Sequence, residues 1–266
     1  MDPRDHLTRT KQEFTRQAEG FAASAATADR RQARRLVDAL PTDTRGLVLD
    51  VACGPGIVTA ELAATVAHVV ALDLTPQMLT KAQERCAERG FDNVTFQEGS
   101  ATDLPFAEGS FDAVVTRLSL HHFQDPRRVL GEMHRVVRPG GALLIADVTS
   151  SENSDKAAVQ NAIEVLRDPS HVRMLPASEM LELVRGANFS LDHVATWDKA
   201  REFEEWAGIV ADDERIRPLR TLVAALAAAG EDAGMDLVRA GSSLLFVHRW
   251  QLVVARKTGR AADASC

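Results

Sequence analysis

The sequence predicts an α/β fold in which a mostly parallel sheet carries helices on both faces. Short apolar runs alternate with amphipathic stretches between residues 47 and 148, and parallel strands need such crossover helices between them. The first run, Leu47 to Ala52, is followed by Gly54, Gly56 and a helical pattern. Glycine lets a ligand approach the main chain closely, and the start of a helix offers unpaired N–H groups. We therefore expect a ligand site where the first strand ends.

The remaining elements follow from apolar periodicity and from the positions of glycine and proline. Pro76 begins one predicted helix and Gly90 ends it, and Pro139 closes another. We expect helices over residues 8–40, 57–67, 76–90, 126–138, 156–167, 177–187 and 200–239, the last with breaks at Pro218 and Gly230. We expect strands over residues 47–52, 68–74, 94–98, 111–117, 142–148, 189–197 and 244–256.

Several polar side chains fall at the carboxyl ends of the predicted parallel strands, where such sheets bind their ligands. They are Asp50, Asp73, Ser100 and Arg117. Asp73 could accept hydrogen bonds from ribose hydroxyls, which predicts an adenosine ligand. Thr59 stands where the third glycine of a dinucleotide fingerprint would fall, and this departure argues against a nicotinamide cofactor.

Composition narrows the class of protein. The chain has 266 residues, of which 45% are hydrophobic and 26% charged, as in soluble globular proteins. A net charge of -7 gives no electrostatic reason to bind nucleic acid. Cys53, Cys86 and Cys266 lack the spacing of metal ligands. Without a long apolar run or a signal-peptide pattern, we expect a cytoplasmic protein with no membrane partner.

A series of ordered motifs carries a resemblance to a known family. The motifs are Leu49-Asp-Val-Ala-Cys-Gly-Pro-Gly56, Ala71-Leu-Asp-Leu-Thr-Pro-Gln-Met78, Gly99-Ser-Ala-Thr-Asp-Leu-Pro-Phe106, the stretch Phe111 to Phe123 that contains His121 and His122, and Val136-Val-Arg-Pro-Gly-Gly141. Over residues 46 to 149 the chain resembles class I S-adenosylmethionine-dependent methyltransferases, in particular the branch of ubiquinone/menaquinone-biosynthesis C-methyltransferases and small-molecule methyltransferases. The resemblance implies a Rossmann-like, doubly wound, mostly parallel seven-stranded sheet with an antiparallel C-terminal strand and helical caps.

The resemblance also implies a division of the chain. Residues 46–150 would form the S-adenosylmethionine-binding core, with 177–198 as a core helix and strand and 242–257 as the final core strand. Residues 1–45 would form an N-terminal helical lid, 151–176 and 199–241 helical caps, and 258–266 a disordered tail.

Each part of the cofactor has expected contacts. Asp73 would hold the ribose, and the backbone at Ala52 and Gly54, with Asp50, would meet the amino-acid end. The remaining expected contacts are Leu74 and Met78 on either side of the adenine, Ser100 and Ala101 at its edge, Arg117 and Leu118 beside the methionine portion, and Phe14 on the N-terminal helix. Ser100 stands where the family often has an acid, so Asp103 is an alternative adenine contact. Phe14 and Phe21 could instead simply anchor their helix.

Histidine is the natural general base near neutral pH, and His121, His122 and His171 are the candidates. His121 and His122 could alternatively shape the cofactor site, and His171 could belong to an ordinary turn. Arg173, Phe203 and Trp206 are candidate substrate contacts, with surface pairing for Arg173 and helix packing for the two aromatic residues as the alternatives.

The expected function is metal-independent methyl transfer from S-adenosylmethionine to oxygen, carbon or nitrogen of a small aromatic or lipophilic molecule, with S-adenosylhomocysteine as product. A non-methylating enzyme of the same fold, such as a cyclase or lyase, is the alternative. A nicotinamide-dependent oxidoreductase and a non-enzymatic regulator are less compatible with the motifs. The expected partner is a small-molecule acceptor, and homodimerisation is left open.

Overall fold

The computed structural model describes residues 3–23, 30–210 and 212–258. Most of the predicted tail, residues 259–266, lies outside this part, and so do Cys266 and the side chain of Phe21. Among the described helices, none combines the length and the apolar character that crossing a bilayer would require.

The helices and strands alternate through the first half of the chain. The helices are α1 Pro3–Ala23, α2 Arg30–Asp38, α3 Ile57–Ala63, α4 Pro76–Glu88, α5 Pro126–Val136, α6 Ser154–Arg167, α7 Ala177–Gly186, α8 Phe203–Gly208 and α9 Asp213–Ala228. The strands are β1 Leu47–Val51, β2 His68–Asp73, β3 Val94–Glu98, β4 Phe111–Arg117, β5 Val137–Thr149, β6 Phe189–Glu202, β7 Val238–Ala240 and β8 Ser243–Lys257. Short 3-10 turns lie at Thr42–Thr44 and Leu120–His122.

The strands form one sheet in the order β3-β2-β1-β4-β5-β8-β6, with β7 paired to β8. Neighbouring strands from β3 to β5 are parallel, whereas β8 is antiparallel to β5, β6 and β7. The predicted fold class, a doubly wound and mostly parallel sheet with an antiparallel C-terminal strand, is confirmed.

Both faces of the sheet are covered because successive strand residues point to opposite sides. Val114 and Leu143 pack in one apolar cluster with residues of α5 and α7. Val115 and Leu144, their neighbours along the chain, pack in a second cluster with residues of α2 and α3. With both faces buried, the carboxyl edge of the parallel strands is the part of the sheet that can meet a ligand.

The expected helical segment over residues 200–239 is wrong at its start and at Pro218, which lies inside α9, whereas Gly230 does follow the end of α9. Residues up to Glu202 continue β6, because this strand pairs with β8 as far as the Glu202–Leu245 pair. Two separate helices, α8 and α9, and the short strand β7 fill the rest of that segment. Similarly, β5 begins at Val137 rather than at residue 142, since Val137 pairs with Phe111 ahead of a register shift.

Candidate active site

A cavity of about 760 Å³ lies at the carboxyl edge of β1, β2 and β4. The helix α1 supplies part of its wall through His6, Leu7, Thr10 and Phe14. Every residue predicted as a cofactor contact lies on the wall: Phe14, Asp50, Ala52, Gly54, Asp73, Leu74, Met78, Ser100, Ala101, Arg117 and Leu118. The structure thus brings together side chains that are far apart in the sequence.

The two glycines after β1 have different structural roles. Both have a positive φ, +53° at Gly54 and +74° at Gly56. A Cβ on Gly56 would lie 2.7 Å from Cα and Cβ of Ala82, so Gly56 allows α4 to pack closely against the start of α3. A Cβ on Gly54 would meet no atom within 4 Å, so Gly54 leaves open space on the cavity wall.

Two other wall residues adopt left-handed backbone conformations without being glycine. Ala52 has φ 55° and Leu118 has φ 53°. Ala52 is the first residue after β1, and Leu118 is the first residue after β4. Such conformations are uncommon for residues with a Cβ and concentrate at functional sites. The backbone at the ends of both strands is therefore more typical of a ligand-binding site than of an ordinary turn.

Asp73 ties the end of β2 to the glycine loop. Its Oδ2 accepts a hydrogen bond from the Gly54 amide at 2.8 Å, and its Oδ1 accepts one from the Thr75 amide at 2.8 Å. Burial raises the pKa of Asp73, although these amides oppose the shift. A carboxylate can accept further hydrogen bonds at its remaining lone pairs, so its position fits a diol such as that of ribose.

Asp50 is the second acid on the wall and is only 1% exposed. The Thr59 hydroxyl donates to its Oδ2 across 2.6 Å. Burial raises the pKa of Asp50 to about 7, and the nearby charge of Asp73 contributes in the same direction. A cationic ligand beside these two acids would offset the cost of burying negative charge, so the site fits a positively charged ligand.

The two alternative adenine contacts expected from the sequence, Ser100 and Asp103, lie close to each other. Ser100 and Asp103 both lie on the wall, and they are joined by a backbone bridge. The Ser100 hydroxyl lies 2.8 Å from that of Thr102.

Cys53 is also on the wall, but burial raises the pKa of its thiol well above the ordinary value, which fits an apolar spacer better than a nucleophile.

Of the three candidate bases, His122 is the one on the cavity wall. Its Nδ1 lies 3.1 Å from the Ser170 carbonyl oxygen, and its ring meets that of Phe14 edge-on, with centroids 4.8 Å apart. Burial, together with neighbouring His121, lowers the pKa of His122 to about 4. The ring is therefore neutral at physiological pH, with Nδ1 as the donor to the carbonyl.

His121 lies behind the wall and is paired with Asp147, with 2.6 Å between Nδ1 and Oδ1. Burial disfavours the imidazolium, but the Asp147 carboxylate outweighs it and raises the pKa of His121. Asp147 also accepts hydrogen bonds from the amides of Leu120 and Val148, which fixes the turn after β4. The sequence could not distinguish these two histidines, whereas the structure gives them different environments.

The other candidates do not line the cavity. His171 is buried, with Nε2 3.2 Å from the Asn161 side-chain oxygen, and burial, with the charge of His121, lowers its pKa to about 3. Arg173 forms an exposed ion pair with Glu179. The location expected for Arg173, beside a substrate, is not the one observed.

Phe203 and Trp206 also differ from the expectation. Both are almost fully buried in a cluster formed by α8, α9 and β8, and the Trp206 ring packs edge-on against that of Phe246 at 5.2 Å. They line no part of the cavity described above because they belong to this separate apolar cluster. Helix packing, the alternative interpretation, describes their position.

Sequence reasoning missed three wall residues on α1, namely His6, Leu7 and Thr10. The signal that could have indicated two of them is the spacing of His6, Thr10 and Phe14, which places them on one helix face.

Among the described residues, no group of three or more His, Cys, Asp or Glu side chains could hold a metal ion.

The strand order, the glycine loop after β1 and the acid at the end of β2 together define a class I S-adenosylmethionine-dependent methyltransferase. Residues 49–145 match the family model described as a methyltransferase domain, and the chain belongs to this family. It is 32% identical to the uncharacterized methyltransferase YcgJ of Bacillus subtilis over 63% of this chain and 68% of that protein.

Two further comparisons agree with this assignment. The chain is 44% identical to the demethylmenaquinone methyltransferase of Clavibacter sepedonicus, over 39% of this chain and 41% of that protein. A crystal structure of a protein from Bacillus halodurans C-125, assigned as a methyltransferase, superposes with a TM-score of 0.78 at 29% identity. That superposition covers 87% of this chain and 99% of the other.

Proposed function

We propose that this methyltransferase acts, without a metal ion, on oxygen, carbon or nitrogen of a small aromatic or lipophilic molecule. One observation supports the acceptor class. The same cavity that contains Asp50, Asp73 and the glycine loop is bounded elsewhere by Leu7 and Phe14 of α1 and by His122. Its volume, about 760 Å³, is within the range of roughly 300–1,000 Å³ typical of small-molecule sites.

In the proposed arrangement, each part of the cofactor has a partner on the wall. S-adenosylmethionine supplies an electrophilic methyl group on a sulfonium centre. Asp73 would accept hydrogen bonds from the ribose hydroxyls, and Asp50 would face the cationic amino-acid end near the Gly54 backbone. Leu74 and Met78 would pack on the adenine, with Ser100, Ala101 or Asp103 at its edge, and Arg117, Leu118 and Phe14 would enclose the methionine portion.

At the acceptor end, the residues chiefly position the nucleophile, because methyl transfer needs an in-line approach more than it needs acid–base chemistry. His122 is neutral and already donates Nδ1–H to the Ser170 carbonyl, so its Nε2 is free to accept a hydrogen bond from the acceptor. His121 and Asp147 would hold the turn that carries His122, and His171 would pack behind it. We therefore favour His122 over His121 and His171 as the contact with the acceptor.

Mass spectrometry with methyl-labelled S-adenosylmethionine tests this proposal. The protein is incubated with a panel of phenols, quinols, amines and carboxylic acids, and both labelled product and S-adenosylhomocysteine are measured. Quinols belong in the panel because the Clavibacter relative is named for demethylmenaquinone. A labelled aromatic product supports the proposal, whereas turnover of an acceptor without S-adenosylhomocysteine would indicate the non-methylating alternative.

A further inference from the structure

We propose that His6 recognises the acceptor by taking a hydrogen bond at its Nδ1, and that the acceptor is a neutral molecule with an O–H or N–H group on an aromatic or apolar body. The inference rests on the proposed function and specifies its acceptor. It assigns a binding role to a side chain of α1 that carries no motif.

The hydrogen bonds of His6 determine which ring nitrogen carries the proton. Its Nε2 lies 2.9 Å from the main-chain carbonyl oxygen of His122. A carbonyl oxygen only accepts, so in the neutral ring Nε2 is the donor and Nδ1 keeps the lone pair. The Thr10 hydroxyl, 3.3 Å from the same Nε2, supports the ring from the next turn of α1.

The other nitrogen has no such partner. His6 is 3% exposed, and its Nδ1 is buried without a hydrogen bond among the described residues. Buried polar atoms in proteins nearly always have a partner, so an exception needs a reason. Since His6 lies on the wall of the cavity, a ligand with a hydrogen to donate would supply the missing bond.

The surroundings define the rest of the acceptor. The α1 residues on the wall, His6, Leu7, Thr10 and Phe14, include no acid, lysine or arginine. Leu7 and Phe14 offer apolar and aromatic surface, and Phe14 already packs against His122. A carboxylate in this position has no hydrogen to donate, so its oxygen lone pairs would face the lone pair of Nδ1. It would also lose its hydrogen bonds to water without gaining a new one. Phenols, alcohols and neutral arylamines therefore fit, and carboxylates do not.

Nuclear magnetic resonance titration tests this contact without requiring turnover. The full chain, labelled with ¹⁵N in histidine and saturated with S-adenosylhomocysteine, is titrated separately with phenol, toluene and benzoate. We expect phenol to bind about five- to tenfold more tightly than toluene, as a net hydrogen bond allows, and to shift the unprotonated nitrogen signal of His6. Benzoate should bind more weakly than toluene.

The His6→Gln variant separates recognition from folding. Its amide N–H can still donate to the His122 carbonyl, but it places no acceptor where Nδ1 was. We expect the preference for phenol over toluene to be clearly reduced, to what the contact proposed for His122 supplies, while S-adenosylhomocysteine binding stays unchanged. His193→Gln, at an exposed position on β6, is the matched control and should keep the preference.

Three results would overturn the inference: equal binding of phenol and toluene by the wild-type protein, an unchanged preference in His6→Gln, or no shift of the His6 signals with any of the probes. Failure of the proposed function is a different result. It would show as missing methyl transfer to the acceptor panel, whatever the phenol titration gives.

Discussion

Thr59 donates its hydroxyl hydrogen to Asp50 across 2.6 Å, and both side chains are almost fully buried. The pair links the first turn of α3 to the end of β1, on either side of the glycine loop. A dinucleotide fingerprint has glycine at position 59 for close helix–strand packing. In this chain, the same position instead carries a hydrogen-bond donor that stabilises the charged form of the buried acid.

Replacing Thr59 by valine should weaken cofactor binding in a pH-dependent way. The hydroxyl lowers the pKa of Asp50, which burial has raised to about 7, so its removal raises that pKa further. In the proposed binding mode the carboxylate faces a cationic group, and affinity falls as pH drops through the pKa. Calorimetry with S-adenosylhomocysteine should show the loss of affinity beginning at a higher pH in Thr59→Val than in the wild type. Thr59→Ser keeps the donor and should retain the wild-type profile; identical profiles for all three proteins would contradict the role given to Thr59.

Asp50→Asn should stabilise the ligand-free protein and weaken its binding of the cofactor. The folded-state pKa of about 7 lies above the ordinary aspartate value of 3.8. The raised pKa therefore contributes stability below pH 3.8, and that contribution is lost as pH rises to about 7. Relative to the wild type, the variant should gain stability over this interval and keep a constant advantage above it, with an upper bound of about 4 kcal/mol from linkage.

Urea unfolding at several pH values between 4 and 8 measures this gain. Glu98→Gln, at an exposed acid that ends β3, two strands away from β1 in the same sheet, is the matched control and should show little change. A destabilised Asp50→Asn protein at pH 8 would mean that Asp50 contributes more to folding through its contacts than its burial costs.

The two loop glycines should respond differently to alanine. Gly56→Ala would place a Cβ 2.7 Å from backbone and side-chain atoms of Ala82 at a left-handed φ, so we expect a loss of about 2–4 kcal/mol of stability from overpacking and strain. Gly54→Ala meets open space and should lose only about 1 kcal/mol or slightly more. Its methyl group would occupy the cavity wall, so the larger effect should be on S-adenosylhomocysteine affinity.

Unfolding and calorimetry on both variants make the comparison. The two glycines serve as controls for each other because they are separated by one residue and share the left-handed conformation. Equal losses of stability would contradict the packing explanation for Gly56.

The sequence predicted the first half of the fold well because parallel strands buried on both faces give short apolar runs that glycine and proline delimit. It failed at residues 198–202, Asp-Lys-Ala-Arg-Glu, whose charged composition resembles an exposed helix. Pairing with β8, such as Lys199 with His248, makes this segment a strand, and no local pattern encodes that pairing.

The residues of the site could also be predicted only in part. Asp50, Asp73 and Arg117 follow from the rule that ligands bind at the carboxyl ends of parallel strands. The spacing of His6 and Phe14 indicates that they share a helix face, but the contact of this face with the cavity depends on how α1 packs. The sequence leaves Phe203 and Trp206 open between a pocket and a core because aromatic residues line both, and only the fold distinguishes the two. The left-handed conformation of Ala52 could not be predicted either, because alanine has no polar side chain that would favour it.

The His121–Asp147 pair should make a contribution to stability that is greatest at mildly acidic pH. Asp147 has a lowered pKa, so its contribution is present above its ordinary pKa of 3.8 and is lost as pH falls through the folded-state value. His121 has a raised pKa, so its contribution is present below 6.5 and is lost as pH rises through the folded-state value. The pair is therefore most stabilising between about pH 4 and pH 6.5.

A double-mutant cycle tests this pH dependence. Urea unfolding is measured for the wild type, His121→Asn, Asp147→Asn and the double variant at pH 5.5 and at pH 9. Breaking a buried ion pair costs about 3–5 kcal/mol, so each single variant should lose an amount of that order at pH 5.5. The coupling free energy should be clearly smaller at pH 9, because His121 loses its positive charge as pH rises through its raised pKa and only its N–H hydrogen bond to the Asp147 carboxylate then remains. The backbone amides that bond to Asp147 are unchanged across the cycle and do not enter the coupling. A coupling free energy that is the same at both pH values would mean that His121 has the same charge at pH 5.5 and at pH 9, which contradicts the charge change expected for this pair.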